Sequence, residues 1–124
     1  APMDKIPILV LDDQPDITRL TSFVLEKKGF EVTVANDPAE ALSLAEKKSF
    51  RLMLVDFMMP GMSGLEFIRR VSSTGANAKA RFIMLTAKKI NENEMRELFD
   101  LGAEVMPKPF VPLKLAEKVI SLLK

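Results

Sequence analysis

The chain has 124 residues, 48% of them hydrophobic and 28% charged, which suits a single domain with one hydrophobic core. Its 18 Lys and Arg and 17 Asp and Glu give a net charge of +1 at pH 7, which argues against a general binder of nucleic acid or anionic membranes. The absence of Cys and His excludes disulfides, thiol nucleophiles and histidine ligands, so a bound metal would need the oxygen ligands that Mg²⁺ and Ca²⁺ prefer.

No apolar stretch has the length of a membrane-spanning helix, and the N-terminus lacks a signal-peptide pattern. We therefore expect a cytoplasmic protein without membrane contact. The chain begins Ala1-Pro2-Met3, so Met3 could be the natural start. On that basis we expect residues 1–4 to be an added remnant or a disordered terminus.

Five strand patterns alternate with five helical patterns along the chain. The first helix is predicted after Gln14, because Ile17, Leu20 and Val24 recur at helical spacing, and Gly29 is its expected stop. The predicted strands are Pro7–Leu11, Glu31–Ala35, Arg51–Val55, Arg81–Leu85 and Glu104–Met106.

The later helices have their own start signals. The fifth helix is predicted from Pro112 to Leu123, with Leu115, Val119 and Leu122 facing the core. The polar residues 72–79, SSTGANAK, predict a surface loop. Helices two, three and four are predicted to begin at the capping sequences Asp37-Pro38-Ala39-Glu40, Ser63-Gly64-Leu65-Glu66 and Asn91-Glu92-Asn93-Glu94.

Strict alternation of strands and helices predicts a parallel sheet with helices on both faces. The first, third and fourth strands are almost wholly apolar, as central strands are, whereas the second alternates and the fifth is short and followed by Pro107. These characters predict an α/β fold, a flavodoxin-like (βα)5 domain with a five-stranded sheet of order 2-1-3-4-5. Since the chain ends with its last helix, we expect one domain over residues 1–124.

Polar residues follow four of the predicted strands. Ligands of open α/β sheets bind beyond the carboxyl ends of the strands, so these side chains are expected to form one site. Strand one is followed by Asp12 and Asp13, strand three by Asp56, strand four by Thr86 and strand five by Lys108.

Three carboxylates at one edge would repel each other, since two unit charges about 4 Å apart cost about 4 kcal/mol at an effective dielectric of about 20. A divalent cation and Lys108 would balance them, and Mg²⁺ suits a site of carboxylates and water. An Asp beside Mg²⁺ and Lys can accept a phosphoryl group, which points to Asp56. Lys108 and the Thr86 hydroxyl could then bind the added oxygens.

Simpler interpretations exist for each residue alone. Asp13 could cap helix one, and Asp56 could only bind loop amides. Thr86 and Lys108 are individually uninformative, and the methionines suit packing better than a metal or cofactor site. The convergence of all five polar residues on one edge favours a functional site.

The segments ILVLDDQP, LMLVDFMMPGMSGLE, FIMLTAK and MPKPF together resemble the receiver domain of two-component response regulators, close in size to the stand-alone chemotaxis type. The resemblance spans the whole chain. It implies that Asp56 is the phosphoacceptor and that Asp12, Asp13 and Asp56, with the Met58 backbone carbonyl, bind the metal.

The same resemblance implies that Thr86 is the switch hydroxyl and Lys108 the invariant lysine, followed by a cis bond to Pro109. It further implies Mg²⁺-dependent phosphotransfer, with Mn²⁺ a possible substitute. The donor would be a sensor histidine kinase or a histidine phosphotransfer protein. Small donors could also serve, so enzymatic activity would be limited to self-phosphorylation and slow autodephosphorylation.

The implied output surface consists of helix four, strand five and helix five, which would bind a downstream protein target. Val105 departs from the family, which usually has Tyr or Phe three residues before the invariant lysine, and a Val has no ring to rotate. This region also lacks the charge pattern of the winged-helix subfamily's activation dimer. We therefore expect a monomer or a weak dimer.

Other functions are weaker. An aspartyl-phosphate hydrolase usually needs a second Asp two residues after its nucleophile, where this chain has Met58. A flavin phosphate would be repelled by the acidic segment DDQPD. A receiver-like domain that binds partners without phosphorylation remains the alternative, favoured by Val105. Direct binding of nucleic acid is not expected, because no recognition module follows helix five.

Overall fold

A computed structural model of the chain describes residues 5–73 and 75–124, so the expectation for residues 1–4 lies outside the described residues. The strands are β1 (Pro7–Leu11), β2 (Glu31–Ala35), β3 (Leu52–Asp56), β4 (Arg81–Thr86) and β5 (Ala103–Pro107). The helices are α1 (Pro15–Lys27), α2 (Pro38–Lys47), α3 (Gly64–Ser72), α4 (Glu92–Asp100) and α5 (Pro112–Leu122), with a short 3₁₀ helix at Gly75–Asn77. Among these described helices, none combines the length and apolar character that crossing a bilayer requires.

All strand pairs are parallel, and the sheet has the order β2-β1-β3-β4-β5. This confirms the predicted fold class and strand order. The predicted strand ends differ from the observed ones by one residue at most, and the difference matters at β3, which extends to include Asp56.

The central strands have a core on each face. Leu9 and Leu11 of β1 pack in the cluster that contains buried residues of α2, α3 and α4, whereas Ile8 and Val10 pack with α1 and α5. Because successive residues of a strand point to opposite faces, an almost continuous apolar run is needed to fill both clusters. The sheet therefore has a fixed register, which aligns the polar residues at its carboxyl edge.

The helix ends largely follow their signals. Gly29 has a φ of 96° and ends α1, because its N–H donates to the Glu26 carbonyl, and the N–H of Phe30 donates to that of Leu25. Asn91 forms a complete capping box at α4. Two further predicted caps each accept a backbone N–H, at Asp37 and Ser63.

The inward face of α1 differs from the prediction. Leu20 is 45% exposed, and the buried residues are Thr18, Thr21 and Leu25. The predicted and the buried residues have the same i, i+3, i+7 spacing but are shifted by one position along the chain. The sequence pattern favours the predicted set because its residues are more apolar. Burial of Thr18 is possible because its hydroxyl donates to the Pro15 carbonyl inside the helix.

The predicted surface loop at residues 72–79 is wrong in part. Helix α3 continues to Ser72, and Asn77 is buried with 1% exposure. The Asn77 amide accepts the N–H of Phe50 at 2.8 Å and donates to the Ala45 carbonyl at 2.8 Å. Asn77 therefore links the end of α2 to the segment that leads into β3. The sequence pattern predicts a surface position because the side chain is polar.

The hydroxyl of Thr21 is buried and has no hydrogen-bond partner among the described residues. We expect Thr21→Val to raise the free energy of unfolding by about 1 kcal/mol, because a methyl group of similar size removes an unpaired polar atom. Urea unfolding followed by circular dichroism measures this. Thr18→Val is the matched control and should lower stability by about 1 kcal/mol, because the Thr18 hydroxyl is bonded. Equal effects of both variants would contradict the assignment.

Candidate functional site

The carboxyl ends of β1, β3, β4 and β5 meet at one edge of the sheet, and the polar residues that follow from the sequence lie together there. Three of them, Asp13, Asp56 and Lys108, line a cleft of about 420 Å³. The cleft is lined by Asp13, Gln14, Asp56, Met58, Ala87, Lys88 and Lys108.

Three carboxylates form the acidic part of this cleft. One carboxylate oxygen of each of Asp12, Asp13 and Asp56 lies within 4.8 Å of the others. Asp12 is fully buried, Asp56 is 5% exposed, and Asp13 is exposed to solvent. This oxygen-only donor set, open on one side, fits a hard divalent cation such as Mg²⁺, which retains several water ligands.

Lys108 pairs with two of these carboxylates. Its Nζ lies 2.5 Å from Asp12 Oδ2 and 3.4 Å from Asp56 Oδ1. The backbone N–H of Lys108 donates to the Thr86 carbonyl at 2.7 Å, which holds the end of β5 against β4. The Lys108–Pro109 bond is cis, as the resemblance implies.

Asp56 has a raised pKa of about 6. Burial is the largest cause, since it disfavours the charged carboxylate, and the negative charge of Asp12 acts in the same direction. Lys108 and the N–H of Met58 oppose the shift and favour the ionised form. At neutral pH the Asp56 carboxylate is therefore mostly ionised.

Close backbone packing fixes the position of Asp56. The N–H of Gly64, at the start of α3, donates to the Phe57 carbonyl at 2.9 Å. A Cβ atom at position 64 would lie 2.3 Å from the Asp56 backbone oxygen, which only a glycine avoids. The start of α3 is thus pressed against the residue that ends β3.

Thr86 is buried at the end of β4, but its hydroxyl is engaged locally. Its Oγ1 accepts the Lys88 N–H at 3.0 Å and donates to the Lys88 carbonyl at 2.9 Å. A new hydrogen-bond partner for the Thr86 hydroxyl would therefore have to compete with both bonds.

The structure does not support the simpler interpretations of Asp13 as a helix cap and of Asp56 as a group that only binds loop amides. The N-cap of α1 is Gln14, without a side-chain hydrogen bond, so the capping role for Asp13 is wrong. Asp56 accepts a loop N–H from Met58 at 3.4 Å, a long bond that does not account for a buried carboxylate.

Two residues near the site were missed in the sequence. Gln14 donates its backbone N–H to Asp12 Oδ1 at 3.0 Å, and its Oε1 lies 3.4 Å from Lys108 Nζ. Asn36 donates to the Asp12 backbone carbonyl at 2.9 Å. Asn36 directly follows β2, so applying the strand-end rule to this strand as well would have found it.

The family model described as response regulator receiver domain matches residues 8–120. The chain belongs to this family. The receiver domain also resembles the solved structure of the chemotaxis protein CheY4 from Vibrio cholerae, with a TM-score of 0.88, 30% identity, and coverage of 97% of this chain and 100% of that chain.

Two relatives illustrate the range of lengths around this receiver domain. The phosphate regulon transcriptional regulatory protein PhoB of Escherichia coli (strain K12) is 31% identical over 117 residues, 94% of this chain and 51% of PhoB. A relative from Leptolyngbya boryana, named an uncharacterized 14.6 kDa protein in the sodA1 3′ region, is 38% identical over 115 residues, 93% of this chain and 88% of the relative. The receiver domain thus spans about half the length of PhoB.

The raised pKa of Asp56 predicts a stability that depends on pH. Without a divalent cation, the folded state holds the Asp56 proton more tightly than the unfolded chain, whose pKa is near 3.8. The resulting stabilisation is complete below that value and is lost as the pH rises through about 6.

Asp56→Asn removes this dependence. In the presence of chelator we expect the variant to exceed the wild type in free energy of unfolding by up to about 3 kcal/mol at about pH 8, and to differ little at about pH 4. Urea unfolding at both pH values measures the difference. A variant that is less stable than the wild type at the higher pH would contradict the assignment.

Proposed function

We propose that this receiver domain is a phosphorylation-activated switch of a two-component phosphorelay, with Asp56 as the phosphoacceptor. The observation that carries the proposal is the position of Asp56. Its carboxylate ends the central strand β3, lies at an open cleft, and has an oxygen within 4.8 Å of the carboxylates of Asp12 and Asp13 and 3.4 Å from Lys108 Nζ.

The metal is proposed to be Mg²⁺, or Mn²⁺ in its place, held by Asp12, Asp13 and Asp56 with the Met58 backbone carbonyl. The close approach of the three carboxylates supports this, because their repulsion falls when a cation is shared. Bound there, Mg²⁺ would offset the negative charge of the cleft and offer a position for a phosphoryl oxygen.

The protein's own groups supply the remaining chemistry. An oxygen of the ionised Asp56 carboxylate attacks the phosphorus of the donor, and the bond from phosphorus to the donor's imidazole nitrogen, or to the acetate oxygen of acetyl phosphate, breaks. The product is an aspartyl phosphate. Lys108, whose Nζ lies 3.4 Å from Asp56 Oδ1, would pair with the new oxygens, and the Thr86 hydroxyl would turn from Lys88 to donate to them.

The output is proposed to lie on the surface formed by α4, β5 and α5. Leu98 is the single buried residue of α4, so few core contacts hold this helix in place. A cavity of about 320 Å³ between Ile90, Met95 and Val105 shares Lys88 and Lys108 with the phosphoacceptor cleft. Movement of Thr86 and its loop can therefore reach α4 without an aromatic ring at position 105.

The partners follow from this role. Phosphoryl groups would come from a sensor histidine kinase or a histidine phosphotransfer protein, and a downstream protein would recognise the altered surface. We propose that residues 1–124 form this single receiver unit, a monomer or a weak dimer, which does not itself bind nucleic acid.

Incubation with acetyl phosphate and Mg²⁺ tests the proposal directly. We expect intact-mass analysis to show the mass of one added phosphoryl group on the wild type and none on Asp56→Asn. Chelator should abolish the adduct, because the carboxylate cluster then repels the donor.

Asp16→Asn is a matched control, because Asp16 is an exposed carboxylate at the start of α1. It should be labelled like the wild type. Failure of the wild type with acetyl phosphate, and with beryllofluoride as a stable phosphoryl mimic, would favour the alternative of an interaction domain that works without phosphorylation. The replacement of the usual aromatic residue by Val105 is the observation that favours that alternative.

Substitutions of Thr86 test the conformational response separately from the phosphorylation of Asp56. We expect Thr86→Ala to accept a phosphoryl group but to lose most of the resulting change at α4 and β5, because no hydroxyl is then drawn toward Asp56. Thr86→Ser should retain the change. Nitrogen-15 NMR spectra with and without beryllofluoride measure it, and a full response of Thr86→Ala at Val105 and Met95 would contradict the proposed route.

A further inference from the structure

Asp12 is held at each of its polar atoms. Its N–H donates to the Ala35 carbonyl at 3.2 Å. Its carboxylate oxygens accept from the Gln14 N–H at 3.0 Å and from Lys108 Nζ at 2.5 Å. Its backbone carbonyl accepts from Asn36 Nδ2 at 2.9 Å, a bond made by a side chain that the phosphotransfer chemistry does not use.

The Asn36 amide is itself fixed by its surroundings. Nδ2 donates a second hydrogen bond to Thr18 Oγ1 at 3.0 Å, and the Asn36 backbone N–H donates to Glu40 Oε1 at 3.2 Å. Thr18 is buried, and its hydroxyl donates onward to the Pro15 carbonyl. The two N–H groups of the amide therefore have one partner in α1 and one at the end of β1.

The Asp12 carbonyl belongs to the peptide unit that joins Asp12 to Asp13. This unit is planar, so a bond that fixes its oxygen also fixes the direction in which the chain enters Asp13. The Asp13 side chain is exposed, unlike those of Asp12 and Asp56. Its alignment with the other two carboxylates therefore depends on the backbone more than on packing.

We propose that Asn36 is a positioning residue for the divalent cation. By binding the Asp12 carbonyl it holds the Asp12–Asp13 peptide so that the Asp13 carboxylate faces those of Asp12 and Asp56. The inference rests on the proposed function, since it assigns a residue to the same cation site. Groups that orient metal ligands typically change metal affinity by about 10- to 100-fold when they are removed.

The test compares Mg²⁺ binding by wild type, Asn36→Ala and Thr18→Val in titrations followed by nitrogen-15 NMR. Both variants lose the bond between Asn36 and Thr18, and both should be less stable in urea. Only Asn36→Ala also loses the bond to Asp12. We expect its Mg²⁺ dissociation constant to rise about 10-fold, and that of Thr18→Val to stay within about 2-fold of the wild type.

Labelling by acetyl phosphate gives an independent readout. Asn36→Ala should need about 10-fold more Mg²⁺ for half-maximal labelling and should approach the wild-type rate when Mg²⁺ saturates, because Asp56 and Lys108 are unchanged. If Asn36→Ala does not fold, Asn36→Leu keeps a similar volume without a donor, and the same shift is expected.

Two results would overturn the inference. One is a wild-type Mg²⁺ affinity in Asn36→Ala or Asn36→Leu. The other is an equal loss in Thr18→Val, which would mean that Asn36 only tethers α1 to β2. If the wild type itself neither binds Mg²⁺ nor accepts a phosphoryl group, the proposed function is overturned and this inference with it, so the wild-type measurement separates the two failures.

Discussion

The repulsion between the buried carboxylates of Asp12 and Asp56 is the constraint on which the rest of the site depends. The fold places both at the ends of adjacent central strands, where burial reduces their screening by water. Lys108, which directly follows β5, contacts both carboxylates through its Nζ. The resulting cluster carries unfavourable electrostatic energy, which falls when a positive charge is added or a carboxylate is neutralised.

Much of this arrangement was accessible from the sequence, because the strands were defined by long apolar runs that few other structures accommodate. The edge residues Asp12, Asp56 and Thr86 followed from those runs once the strand order was known. Lys108 followed in the same way, since Pro107 marks the end of the last strand. The strand ends therefore gave the candidate site together with the fold.

What the sequence left open concerns polar residues in buried positions. Thr18 and Asn77 can be buried because their side chains form hydrogen bonds, Thr18 with Pro15 in its own helix turn and with the distant Asn36, and Asn77 with the distant Phe50. A hydropathy pattern contains no information about such bonds. The rotation of α1 was missed for this reason. The position of Asn36 after β2 could have been read from the sequence, but its bond to the Asp12 backbone carbonyl has no sequence signature.

The buried Asn77 amide has a mechanical consequence for the whole domain. It braces α2 and β3 at the amino edge of the sheet, opposite the cleft, whereas α4, which packs in the same core cluster as α2, buries a single residue. Burial is thus distributed unevenly over this face, with more residues of α2 and α3 than of α4 in the core. An element with few buried contacts opens at a lower free-energy cost than its neighbours, so α4 is the helix of this face that can shift with the least loss of core packing.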